Sequence, residues 1–346
     1  MKTNKYNSLY LLILFTIFLN SFASSCKKEE NPPLIVTMEP KNIGSAIALS
    51  GGTIDWDDAS DITGRGICWG TMNNPTIEDH KTTNGQGTGS FESILTGLMP
   101  NTFYYTRSYV IKNGRVMYGN PVSFTTKDVV TDIEGNTYNT IVIGHQVWMA
   151  ENLRTTRFAN GDLIGTTAPS TLNIMNFIDP VYQWPYGGQE NNAAKYGRLY
   201  TWYAVKDPRG LCPAGWHIPT DKEWTELENY LTSNHYNYDG TSSGNKIALT
   251  LAAGTEWIYS EDAGTPGNSS YTESRNKIGF SALPAGYRDQ DGKFVDIGNA
   301  ACWWSSTEAS SYNAYYRYLR SIRKDMLRSS YYEFCAVSVR CIKDEL

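Results

Sequence analysis

The stretch Gly210-Leu211-Cys212-Pro213-Ala214-Gly215-Trp216-His217-Ile218-Pro219-Thr220-Asp221-Lys222-Glu223-Trp224 decides how the larger part of this chain is read. Its end is a helix entry. In the pattern Thr220-x-x-Glu223 the threonine hydroxyl accepts from the Glu223 amide, and the Glu223 carboxylate reaches back to the Thr220 amide. Beyond it Trp224, Leu227 and Leu231 recur at helical spacing and predict one buried face. Glu223, Glu226 and Glu228 crowd the first turns, where the helix dipole favours negative charge. His217, between Trp216 and Ile218 on a strand leading to the helix, reads as a satisfied core histidine rather than a base.

Working outward, 193–206 predicts a second helix with Leu199, Trp202 and Tyr203 on one stripe. Upstream, 140–143 and 146–149 read as strands around a turn at Gly144-His145, after an opening turn at 132–135. Past residue 245 come strands and long polar loops, among them an Asp291-Gly292 hairpin over 286–295. Helices early and a twisted sheet later make this half α+β. From 34 to 126 the pattern differs. Short alternating runs such as Gly66-Ile67-Cys68-Trp69-Gly70 are split by turn signals at Asn73-Asn74-Pro75, Asn84-Gly85 and Asn113-Gly114, and about seven such strands predict an all-β sandwich. Residues 127–131 form a polar joint.

Two resemblances sharpen this division. Leu98-Met99-Pro100-Asn101-Thr102-Phe103-Tyr104 resembles the tyrosine corner of fibronectin type III domains, and the likeness extends over 34–127. It implies an Ig-like sandwich acting as a spacer. The second half is similar, over 132–344, to the Fibrobacter succinogenes major paralogous domain family. The motifs carrying the match are Gln146-Val147-Trp148-Met149-Ala150-Glu151-Asn152-Leu153, Tyr196-Gly197-Arg198-Leu199-Tyr200-Thr201-Trp202, the opening stretch above, Gly279-Phe280, Pro284-Ala285-Gly286-Tyr287-Arg288, Trp304-Ser305-Ser306-Thr307 and Ser338-Val339-Arg340-Cys341. The resemblance implies an exported or surface protein. Segments 218–224 and 339–341 also look like the helix entry and final strand of C-type-lectin-like and formylglycine-generating-enzyme-like folds, so a C-type-lectin-like core is expected.

The lectin-like resemblance in turn implies a disulfide between Cys212 and Cys341. Cys302 and Cys335 stand where the family more often has aromatic or small residues, which suggests a second bridge between them. Cys68 is expected as a buried apolar residue of the sandwich, or, in an alternative pairing, as a tie between domains.

The N-terminus carries Lys2 and Lys5, an apolar run over 9–19, small residues at 23–25 and then Cys26. This reads as a signal peptide over 1–25, with the run too short for a membrane span. The cysteine after the small residues resembles a lipobox, so Cys26 is the expected lipidation site; the alternative is an ordinary signal with an incidental cysteine. Residues 26–33 form a tether. Its Lys27-Lys28-Glu29-Glu30 resembles the surface-export tag of Bacteroidetes-type lipoproteins, which implies an outer-membrane lipoprotein facing the exterior and held to the membrane by lipid. The final Lys343-Asp344-Glu345-Leu346 matches an endoplasmic-reticulum retention signal and, beside a bacterial lipobox, reads as coincidence. Cleavage removes two lysines and no acids, taking the formal charge from −5 to −7, which argues against a nucleic-acid partner. With 19% charged and 13% aromatic residues, the composition suits an ordered β-rich protein.

Catalytic and metal patterns are sparse. The four histidines, His80, His145, His217 and His235, lie at no metal-ligand spacing, and no zinc, nucleophile-elbow or phosphate-loop motif occurs. Asp289, Asp291 and Asp296 miss the EF-hand pattern because, with Asp289 as the first place, Gly292 falls at the fourth rather than the sixth. No cofactor or metal is implied. What remains is the Tyr- and Arg-rich stretch 312–332, which reads either as a half-buried amphipathic sheet or as a glycan- or protein-binding surface. Trp304, Asn313, Tyr315, Tyr316 and Arg317 are its candidate ligand-binding residues; of the adjacent Trp303 and Trp304, one is expected in the core and the other free to face a ligand. The expected function is a noncatalytic surface module that binds a glycan or protein. The alternatives are a polysaccharide-acting enzyme using scattered carboxylates such as Glu151, Glu256 and Asp289, and a structural subunit of a surface assembly.

Overall fold

The computed structural model describes residues 32–57, 60–175 and 177–345. The signal peptide, Cys26 and most of the 26–33 tether lie outside the described residues. The first domain has strands β1 (Leu34–Lys41), β2 (Ile47–Asp55), β3 (Ile62–Gly70), β4 (His80–Lys81), β5 (Gly89–Thr96), β6 (Phe103–Lys112), β7 (Arg115–Tyr118) and β8 (Val122–Thr125). They form a three-stranded sheet, β1-β2-β5, facing a sheet ordered β4-β3-β6-β7 with β8 also on β6. Alternation along the strands turns Ile54, Ile67, Leu95, Val110 and Phe124 into the shared core. The Tyr104 hydroxyl accepts from the Met99 amide at 3.1 Å, closing the expected corner. Cys68 is buried, its thiol donating to the Pro75 carbonyl at 3.2 Å and pushed up to about 11 by burial. The fibronectin type III-like sandwich is therefore present, with eight strands where seven were expected, because residues 119–121 split the last one.

The second domain rests on two sheets. In one, the late strand Ile342–Lys343 lies between Gln146–Met149 and Trp216–His217, with Thr140–Ile143 outermost. The other has nine strands and draws on both halves of the domain: Gly165–Thr166, Val181–Gln183 and Leu199–Thr201 precede Ala336–Ser338 and the long hairpin Ala300–Ser310/Asn313–Arg320 in its order. The expected helices-then-sheet order is thus corrected. So is the helix over 193–206. One helical turn, Ala193–Tyr196, ends at Gly197, and a second, Trp202–Val205, follows the strand Leu199–Thr201. Gly197 has φ +75°, and a Cβ there would stand 2.5 Å from the Asn152 Cβ. The chain must therefore leave the helix, and Leu199–Thr201 gains two strand partners instead.

The capped helix, Asp221–Ser233, forms as read. Thr220 Oγ1 accepts from the Glu223 amide at 3.2 Å, and Glu223 Oε2 accepts from the Thr220 amide at 2.7 Å. Its Trp224, Leu227 and Leu231 are fully buried. They pack with Trp148, Phe280 and Trp303 on one face of the strand Ala300–Ser310, while Cys302 and Trp304 enter a second core with Tyr200 and Val339 on the other.

Cys212 and Cys341 form the expected disulfide, with Cα atoms 6.0 Å apart and a sequence separation of 129. Closing so long a loop stabilises by about 5 kcal/mol in the chain-entropy account. The second bridge is not formed: Cys302 and Cys335 are free, buried thiols. Tyr287 and Tyr316 neighbour Cys302, and Tyr331 neighbours Cys335. Tyr331 also packs edge-on to Tyr287 at 5.6 Å, so these rings occupy the surroundings of both sulfurs. Burial raises the Cys335 thiol to about 12 and Cys302 further still, leaving both protonated and unreactive at neutral pH.

The domains are joined directly. The Ser45 amide donates to the Thr140 carbonyl at 2.9 Å, and the Thr140 amide donates to Ser45 Oγ at 2.9 Å. Ser45 Oγ donates onward to Asn139, whose amides are held by the Glu151 carboxylate at 2.7 and 2.8 Å. A Cβ on Gly44 would stand 2.2 Å from the Thr140 carbonyl oxygen, so only glycine permits this approach. Ile47 of β2 packs against the helix-side core of the second domain.

Alkylation of the oxidised protein in denaturant without reductant is expected to label Cys68, Cys302 and Cys335 and to spare Cys212 and Cys341. Labelling limited to Cys68 would restore the second bridge.

Candidate functional site

Of the five residues expected to meet a ligand, Trp304 and Arg317 are interior, and Asn313, Tyr315 and Tyr316 are part-exposed. Trp304 is fully buried, its indole N–H donating to the Tyr200 carbonyl at 2.7 Å. Arg317 is 1% exposed and binds Glu228 at 2.5 Å and Asp221 at 2.6 Å on the capped helix. Arg328 shares Asp221 at 2.9 Å and lies over the Tyr315 ring at 3.8 Å. Tyr316 is half-buried, 6.2 Å from Trp304 between ring centroids. Asn313 sits at the hairpin turn, donating to Ser310 Oγ at 3.2 Å. The reason is coverage at the base of the hairpin: Arg317 and Leu319 face the capped helix and its core, and Ala314, Tyr316 and Tyr318 face the second core, whereas the far end around 306–312 stays accessible. Both Trp303 and Trp304 are core residues, which corrects the expectation that one is free.

The three carboxylates offered for an enzyme are engaged locally. Glu151 holds Asn139. Glu256 accepts from Lys195 and, at 3.0 Å, from the Tyr196 hydroxyl. Asp289 Oδ1 accepts from the Asp291 and Lys293 amides at 3.0 and 2.8 Å within its hairpin turn. No cluster of metal-holding side chains occurs among the described residues.

His217 is satisfied but not a core residue. Nε2 lies 2.8 Å from Glu223 and Nδ1 2.6 Å from Asp344, and the side chain is 38% exposed. The hydrogen bond to Glu223 leads in raising its pKa to about 9 from an ordinary 6.5, burial opposing and Asp344 adding. The imidazolium clamps the capped helix to the segment after the last strand.

The site that sequence reasoning missed lies in the polar loops after the capped helix. A pocket of about 430 Å³ is lined by Tyr238, Asn245, Asp262, Thr265, Ile322, Arg323, Lys324 and Asp325. Three asparagine side chains fix its walls in place of regular structure. Asn237 donates to the carbonyls of Thr241, Ser243 and Gly244 at 2.9, 3.2 and 3.0 Å and accepts from the Lys246 amide at 2.9 Å. Asn245 exchanges two bonds with the Met326 backbone, at 2.9 and 3.0 Å. Asn268 donates to the Glu261 carbonyl at 3.1 Å and accepts from the Ser270 amide at 2.9 Å. Gly264, at φ +75°, leaves room for the Tyr238 ring, which a Cβ would overlap at 2.1 Å. Tyr238 in turn meets Tyr271 edge-on at 5.2 Å. Arg323 and Asp325 neutralise one another at 2.9 Å. The lining thus offers an aromatic ring, hydroxyl, amide and charged groups on a rigid frame, the makeup of a polar-ligand site. Its only sequence signal is the density of Asn, Gly and Tyr over 234–245.

Because the folded His217 titrates above its unfolded value, the clamp stabilises fully below about pH 6.5 and its contribution is lost as pH rises through about 9. Thermal unfolding of His217→Asn beside the parent is expected to show the largest Tm deficit near pH 6 and convergence by about pH 10. A pH-independent deficit would remove the imidazolium from this account.

The chain is similar to the sensor domain of the anti-sigma factor RsgI4 in Pseudobacteroides cellulosolvens, at 15% identity over 28% of this chain and 97% of that one, with TM-score 0.24. It is also similar to the third fibronectin III domain of human KIAA0343 protein, at 19% identity over 31% of this chain and 93% of that one, with TM-score 0.21. The fibronectin type III domain of human KIAA0970 protein gives 17% identity over 30% of this chain and 79% of that one, with TM-score 0.21. No curated protein matches. The profile of the Fibrobacter succinogenes major domain matches residues 141–343. That match covers more than half of the sequence, including the capped helix, both sheets of the second domain and the disulfide, and the chain therefore belongs to the Fibrobacter succinogenes major domain family.

Proposed function

We propose that this protein is a noncatalytic outer-membrane lipoprotein, anchored through Cys26 and facing the exterior, whose second domain binds a glycan in the loop pocket. The lipobox-like sequence before Cys26 supports the anchor, and the Cys212–Cys341 disulfide suits an oxidising compartment. A C-type-lectin-like plan for the second domain draws support from the early Gln146–Met149 strand pairing with the late strand Ile342–Lys343, with long loops carried between them.

One observation carries the binding reading: asparagine side chains pin the loops that hold Tyr238, Thr265, Asp262 and Lys324 around one cavity. Loops fixed by internal hydrogen bonds reduce the ordering cost that otherwise weakens binding. Mixed donors and acceptors beside an aromatic ring match a sugar's hydroxyls and its C–H face. A protein partner is the second reading, favoured by the exposed Leu163, Met175 and Ile178, which are 67%, 44% and 74% accessible.

A glycan array probed with the mature chain carrying Cys26→Ser is expected to give binders that Tyr238→Ala weakens about tenfold, the loss of roughly 1.4 kcal/mol of stacking. Binding indifferent to Tyr238, or no binders at all, would defeat the reading. For the anchor, radiolabelled palmitate is expected to enter the parent protein and not Cys26→Ala; equal labelling, or none, would remove the lipid.

A further inference from the structure

The structure holds a larger cavity, about 740 Å³, between the two domains. On one side stands the β1-β2-β5 sheet of the sandwich, with Leu49 and Ile94; on the other stand Thr272, Glu273 and Lys277 of the second domain. Its geometry is fixed by the Ser45–Thr140 exchange and by Ile47 seated in the neighbouring core. The sandwich is therefore a wall of the cavity and not only a spacer.

This cleft and the loop pocket share one loop. Tyr271 packs on Tyr238 of the pocket, and the next residue, Thr272, lines the cleft. Their electrostatics also agree. Glu92 in the cleft is paired with Lys41 at 2.9 Å, as Arg323 in the pocket is paired with Asp325. That leaves Glu273 and Asp262 against Lys277 and Lys324, two charges of each sign with no ion-pair partner among the described residues. Such a lining offers hydrogen-bond acceptors and donors in equal measure and no net field to select an ion. Apolar groups at Leu49 and Ile94 suit the C–H face of a sugar ring. We infer that the loop pocket and the interdomain cleft are two subsites for a single extended, uncharged polysaccharide chain lying across the 271–272 loop. This rests on the glycan reading of the loop pocket and adds chain length and the sandwich to it.

The test is calorimetric titration of the mature Cys26→Ser chain with neutral β-glucan, xylan and mannan oligosaccharides, each as a series from disaccharide to octasaccharide. The expected result is an affinity that rises about a hundredfold along one series as the second subsite fills. Thr272→Trp, which fills the cleft, is expected to erase that rise and leave disaccharide binding unchanged; Ile94→Arg on the opposite wall provides an independent second block. Tyr238→Ala is expected to weaken disaccharide and octasaccharide alike. A bound disaccharide with no gain from length, or a gain that survives both cleft variants, overturns the two-subsite inference and leaves the pocket reading standing. No binding at any length overturns both.

Discussion

Asn152 ties the second domain together at its centre. Its Oδ1 accepts from the Trp303 indole at 2.8 Å and from the Arg340 guanidinium at 2.8 Å, while its amide donates to the Tyr196 carbonyl at 2.9 Å. Arg340 is 1% exposed and has no carboxylate in ion-pair contact among the described residues; the Phe280 carbonyl and the faces of the Phe280 and Trp303 rings complete its surroundings. Burial lowers its pKa to about 9, which still leaves it charged at neutral pH. A guanidinium held this way satisfies its donors with carbonyl oxygens and spreads its charge over π faces, which a lysine cannot imitate. Arg288 repeats the device, donating to the carbonyls of Gly292 and Leu172 and to Gln183 beside the Phe294 ring.

The elements legible in the sequence were those determined locally. The capping box at Thr220 needs only residues three apart, and the tyrosine corner five. The sandwich followed from alternation and turn residues. The segment 193–206 misled because its helical stripe is real, yet Gly197 and two distant strands outweigh a propensity worth tenths of a kcal/mol per residue. Arg317 misled for a similar reason: its carboxylate at Asp221 is 96 residues away, so a strand rich in Tyr and Arg looked like a surface. The loop pocket was illegible because side-chain amides, not periodic backbone bonds, set its shape. The Cys302–Cys335 pairing is not formed, each thiol being buried beside tyrosine rings whose placement depends on distant strands.

The junction changes the role of the first domain. A spacer needs only a covalent joint, whereas here Gly44 and Ser45 meet the backbone of Thr140 and Ile47 enters the other domain's core. Glu151 reinforces this from beneath by holding Asn139.

The position of the strand Ile342–Lys343, between Gln146–Met149 and Trp216–His217, carries a consequence for synthesis. Its neighbour Arg340 meets Asn152 across 188 residues of chain. As the polypeptide emerges, the Thr140–Met149 hairpin must wait, one edge open, for the missing middle of its sheet. Pairings of such long sequence separation are slow to form, and an unpaired strand edge is a template to which other strands can add.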